Sequence, residues 1–138
     1  MCLCYLVVLV IFGQFIIYNS MISLKLLKNY EAEKNISFPN IYIDFFTKYR
    51  KKIPQNLVGT DIFNGTEDLN LWAKELLNDD NTENFLEEDD FVFMMHQGYM
   101  FWYFKTNEDE NPTVYSYFEG DLKPTKRGEL KSFLAKYI

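Results

Sequence analysis

His96 is the only histidine in the 138-residue chain, so any imidazole chemistry would have to pass through it. Nucleophilic catalysis needs a serine or cysteine next to a base that a third group orients. No such arrangement is evident, and a lone histidine beside a turn is read as a structural hydrogen-bonding residue. The two cysteines, Cys2 and Cys4, form a Cys-x-Cys inside an apolar stretch. They read as small apolar side chains rather than as a metal or redox pair, and no disulfide framework can be built from them. The glycines are scattered, so there is no phosphate-cradling loop. Asp79-Asp-Asn-Thr-Glu-Asn84 faintly resembles a calcium loop, but Asn84 stands where the sharp turn needs glycine. These residues lead us to expect a protein that is not an enzyme and carries neither cofactor nor metal.

Charge and aromatic content are more informative. The net charge is −6, which argues against nucleic acid as a direct partner. The charge is unevenly spread. Residues 21–60 carry seven Lys/Arg against three Asp/Glu, residues 61–120 two against fifteen, and residues 121–138 five against two. The acidic middle also holds much of an 18% aromatic content. Acid to steer an encounter and aromatic rings to anchor it suit a basic protein partner; the alternative is ordinary solubility charge in loops flanking a sticky sheet. The acidic candidates for the contact are Asp79, Asp80, Glu83, Glu87, Glu88 and Asp89. Trp102 and Tyr117 are candidate anchors if the sheet leaves either exposed.

The elements that must position these residues centre on 89–120. Phe91–His96 and Tyr99–Phe104 are apolar runs split by Gln97-Gly98, which predicts a β-hairpin whose turn can exceed two residues. Val114–Phe118 gives a third strand. Strict alternation would put Phe91, Phe93 and Met95 on one face and Val92, Met94 and His96 on the other. Both sets are largely apolar, so this antiparallel meander belongs in the middle of a sheet, with helices on at least one face. Before it, Met21–Lys34 has a moderate helical signal, and a helix opening at Ser37-Phe-Pro39 carries Ile41, Phe45 and Tyr49 at four-residue spacing. Lys48, Arg50, Lys51 and Lys52 at its end read as a solvated last turn, favoured by the helix dipole. Residues 58–65 form a loop with a short strand. Thr66 can cap a helix with Leu69, Trp72, Ala73, Leu76 and Leu77 on its apolar face. A short helical turn is expected around Phe85-Leu86, a connector over 121–127, and a last amphipathic helix through Leu130, Phe133, Leu134 and Tyr137.

Met1 to Tyr18 is nearly all apolar, about 27 Å as a helix. Three readings stand: a membrane anchor, a start-site artefact with Met21 as the true start, or a signal or buried helix. A signal would lack a basic leading region and a clear cleavage site. As an anchor, with Lys25 and Lys28 just after it, it leaves the domain on the cytoplasmic side. Residues 1–20 are thus an extension, and 21–138 one domain without internal repeat or linker.

Four segments in order, Phe38–Phe46, Ile53–Asp61, Asp90–Phe104 and Pro112–Gly120, resemble the SUKH superfamily, whose best-known branch is the Smi/Knr family named for fungal cell-wall regulators. The resemblance covers about residues 36–138 and leaves Met1–Ser20 without a counterpart. It implies an α+β fold with one mostly antiparallel sheet flanked by helices. It also implies a cytoplasmic immunity protein of a bacterial polymorphic toxin system, one that binds a cognate toxin, often a nuclease, and blocks it inside the producing cell. Toxin-binding residues vary in such proteins, so no site is carried over. The alternative function is a regulatory or scaffold module of the same fold, in signalling or cell-wall regulation.

Overall fold

A computed structural model describes residues 3–107 and 109–138; Leu3–Leu6 are described by backbone only. The Cys2-x-Cys4 pair therefore lies outside the described side chains. The elements in order are α1 (Leu3–Lys34), α2 (Asn40–Tyr49), a 3-10 turn (Gln55–Leu57), β1 (Thr60–Ile62), α3 (Leu69–Asp79), β2 (Asp90–His96), β3 (Met100–Lys105), β4 (Thr113–Phe118), β5 (Thr125–Glu129) and α4 (Leu130–Ala135). The strands form one antiparallel sheet in sequence order, β1-β2-β3-β4-β5. The fold is α+β, and the aromatic meander β2-β3-β4 occupies its centre.

Helices cover both faces. On one face, Phe91, Phe93 and Phe104 meet Tyr42 of α2, Phe91 also meets Tyr30 of α1, and Phe93 meets Phe133 of α4. The ring centroids are 5.3–6.2 Å apart, mostly tilted or edge-on, the arrangement that aromatic quadrupoles prefer. On the other face α3 buries Leu69, Ala73, Leu76 and Leu77, and Phe85 packs over Phe101, Tyr103 and Tyr117.

Several expectations are corrected. Strict alternation in β2 fails because the register shifts between Val92 and Met94. The extra residue turns Met94 toward the face of Trp102 and Phe104, and puts Met95 opposite Phe101 on the face of α3. Residues 125–129 are a strand, not a connector: β5 pairs with β4, and Arg127 Nε donates to Ser116 Oγ at 2.6 Å. Asp68, not Thr66, caps α3, accepting from the Leu71 amide at 3.1 Å; Thr66 bonds to Asn64 instead. No helical turn forms at Phe85-Leu86, where the chain is irregular. The hairpin turn spans Gln97–Tyr99, with Gln97 and Gly98 at φ +47° and +76° and the Tyr99 amide donating to the His96 carbonyl at 3.1 Å.

Candidate partner-binding surface

α3 presents three flanks. One is buried on the sheet, and a second fixes the helix in place through Asn70. The Asn70 amide donates to the Asp90 carbonyl at 2.8 Å, and its oxygen accepts from the Val92 amide at 2.9 Å. β1 pairs with β2 only at Met94–His96, so the outward backbone groups of Asp90 and Val92 lack a strand neighbour there. The Asn70 side chain takes that place, and buried backbone groups demand such a partner.

The third flank carries Trp72, Glu75 and Asp79, spaced three and four residues apart and so on one side of the helix. Together with Asp61 on β1, Leu76, Met95 and the hairpin tip Gln97-Gly98, they line an open groove of about 420 Å³. Three carboxylates, Asp61, Glu75 and Asp79, rim an apolar floor, and Trp72 stays 37% exposed beside them. No cation of this chain is among the lining residues. A cationic side chain with an apolar stem fits such a groove, its charge meeting the carboxylates and its stem the Trp72 ring.

The acidic residues singled out by sequence divide into three groups. Asp79 lines the groove, and Glu83 and Glu88 are exposed on the following segment. Glu87 and Asp89 are tied to Lys105 at 2.8 and 2.9 Å, with Asp90 at 3.5 Å, so their charge is largely answered within the molecule. Partial burial opposes protonation of Lys105, but these three carboxylates outweigh it and hold its pKa above the ordinary lysine range. Burial in turn pushes the Asp90 carboxyl up, against the Glu87 amide and Lys105, which lower it. Asp80 is bound inward. Its carboxylate accepts from the Tyr117 hydroxyl and from the Gly120 amide, the latter at 2.8 Å, and these bonds hold its pKa below the usual value. Asp80 thus ties the end of α3 to the end of β4.

Neither aromatic candidate joins the groove. Tyr117 is 0% exposed, packed under Phe85 and against Phe101, and only its hydroxyl reaches outward to Asp80 and Thr82. A ring so placed cannot anchor a partner. Trp102 is half-buried, but it lies opposite Met94 and Ser116 on the other face of the sheet from α3. Trp72, which sequence assigned to the apolar face of its helix, is the ring at the groove. Asp61 and Glu75 were not among the expected site residues. The signal that would have found Glu75 is its three-residue spacing from Trp72, whereas Asp61 joins only through sheet pairing. His96 closes β2 beside the hairpin turn, paired with Thr60 of β1 and Met100 of β3, its Nδ1 3.2 Å from Thr60 Oγ1 and its ring edge-on to Tyr99. Among the described residues, no three His, Cys, Asp or Glu side chains are grouped to hold a metal ion.

No curated protein and no solved structure matches the chain. A match to a known family does cover residues 24–137, from the second half of α1 through α4, and takes in the whole sheet and the groove beside it. By that match the chain belongs to the SUKH_6 family, described as SMI1-KNR4 cell-wall.

Proposed function

We propose that the protein is an immunity protein that binds and neutralises a cognate toxin, and that the partner presents a basic, partly apolar element to the groove beside α3. The observation that carries the reading is the groove itself, with Asp61, Glu75 and Asp79 around an apolar floor and the half-exposed Trp72 at its side. Family membership supports the binding role, and the acidic excess of residues 61–120 supports a basic partner such as a nuclease. Glu83 and Glu88 extend the same field along the next segment. A groove that blocks a toxin needs no catalytic group, only fixed charge and a ring to exclude water.

The test is co-production of the chain with the polypeptide encoded directly beside its gene. Restored growth together with a complex on gel filtration supports neutralisation. A complex with a growth-neutral signalling or cell-wall protein, without protection, points to the regulatory module instead. No protection and no complex contradicts both.

A further inference from the structure

α1 runs unbroken for 32 residues, and its two halves behave differently. The second half is domain: Leu27 is 0% exposed, Ser23 accepts from Arg50 Nε at 2.8 Å, and Leu26 packs within 3.2 Å of the Cβ position at Gly65, whose φ is +95°. The first half is not. Val7 to Tyr18 is exposed on nearly every side, Val7–Phe12 and Phe15–Tyr18 each by half or more of their surface. From Leu3 to Leu24 there is no charged residue. A helix that is apolar all round, rather than striped, has no side suited to water. Within Val7–Lys34, an eighteen-residue window has mean hydropathy 2.0, with only 6% of its residues buried.

The helix leaves the domain beside the end of α2, where a second feature stands. Phe12, Phe15, Ile16, Ile17 and Leu24 of α1 and Ile43 of α2 form an open apolar groove of about 850 Å³, and Lys48, Lys51 and Lys52 stand along its wall with one carboxylate, Asp44. All three lysines are exposed, and among the described residues none has an ion-pair partner. Lys25 and Lys28 add charge on α1 itself, where Lys28 is answered by Glu31 at 3.2 Å. A basic collar at the root of an apolar rod matches a bilayer with anionic headgroups over hydrocarbon.

We infer that the first half of α1 inserts into an anionic phospholipid bilayer, and that Lys48, Lys51 and Lys52 contact lipid phosphates around its point of entry. Leu3–Tyr18 is about 24 Å of helix against about 30 Å of hydrocarbon. Flexible lysine stems and local thinning of the bilayer accommodate such a shortfall. The basic collar then faces the membrane, while the α3 groove belongs to the acidic part of the chain, which an anionic surface repels. This inference is independent of the toxin-binding reading and is tested without any protein partner.

The full chain is reconstituted into vesicles of phosphatidylcholine alone and of phosphatidylcholine with phosphatidylglycerol. Sodium carbonate extraction, intact mass and acetylation rates of individual lysines are then measured at low salt. The expected result is a protein of full mass that resists extraction from both vesicles. Acetylation of Lys48, Lys51 and Lys52 should be at least about threefold slower in the anionic vesicles, each lysine's contact with the surface being worth about fivefold in affinity. Lys123, Lys126 and Lys136 should react equally in both. The K48Q/K51Q/K52Q variant should resist extraction from both vesicles as wild type does, but when the two vesicle types are offered together at low salt it should lose most of wild type's preference for the anionic ones. Extraction by carbonate, cleavage after the apolar stretch, equal lysine reactivity in both vesicles, or a soluble dimer burying the apolar half of α1 would each overturn it.

Discussion

Asn70 and Tyr117 show how much of the binding surface depends on single polar side chains beneath it. Asn70 satisfies two backbone groups of β2 and sets the rotation of α3. Asn70→Leu preserves size but leaves both groups unpaired, and the expected cost is about 2–4 kcal/mol, one to two kcal/mol for each orphaned group. Urea titration measures it; a change under 1 kcal/mol would show that water or a shift of the helix replaces the clamp. The Tyr117–Asp80 bond should appear in the pH dependence of stability. Asp80 is held below its ordinary value of 3.8, so its contribution is complete above that value and is lost as pH falls through the lower, folded-state value. Burial and the bond to Asp80 raise the Tyr117 hydroxyl above 10.0, so its contribution is complete below pH 10.0 and is lost as pH rises through the folded-state value. Tyr117→Phe should therefore flatten both limbs of the stability–pH curve, measured by thermal melts from pH 2 to 11. Parallel curves for the two proteins would remove this bond from the account. The sequence marks Tyr117 as an aromatic in a strand and Asp80 as one acid in a run. Their pairing joins residues 37 positions apart and is invisible until the fold brings α3 and β4 together.

At the scale of elements, what the sequence makes legible follows from where burial imposes a pattern. β2, β3 and β4 stand out because each is apolar on at least one face and each break carries a turn signal. β5 does not: Thr-Lys-Arg-Gly-Glu has no apolar side chain and is exposed throughout. It is held by backbone pairing at the sheet edge, and its charges suit an edge that must not recruit another strand. The bulge in β2 escapes for a similar reason, since an apolar run gives no sign of which residue is extra. The hairpin offers a direct test. Gly98 sits at φ +76°, where a β-branched residue is strained, so Gly98→Val should cost on the order of 1–3 kcal/mol. No atom lies within 4 Å of the added Cβ, so the loss would come from the backbone alone. Gln97, also left-handed at +47°, should gain about 0.5 kcal/mol on replacement by Asn, which tolerates that region better. Melting temperatures of the two variants shifted in opposite directions would confirm the turn; an unchanged Gly98→Val would contradict it.

For the whole molecule, charge is sorted by region. Residues 21–60 are net basic and lie at the root of the apolar helix, whereas residues 61–120 carry fifteen acids and form the α3 groove and meander. The regional bias is plain in the sequence, but the working acids are not. Lys105 answers Glu87 and Asp89, and Tyr117 binds Asp80, so of that acidic run only Asp79 lines the groove, with Glu75 one turn earlier on α3 and Asp61 from β1. Charge at an exposed rim acts mainly on encounter, so reversal there should change association far more than dissociation. The most direct measurement is the association rate between the purified protein and the polypeptide encoded beside its gene, at low and high salt, for wild type and for D61K/E75K/D79K. The triple variant should keep its circular dichroism and melting temperature, associate at least about tenfold more slowly at low salt, and lose most of the salt dependence that wild type shows. Association at the wild-type rate under both salts would place the partner's contact elsewhere on the molecule and contradict the groove as the binding surface.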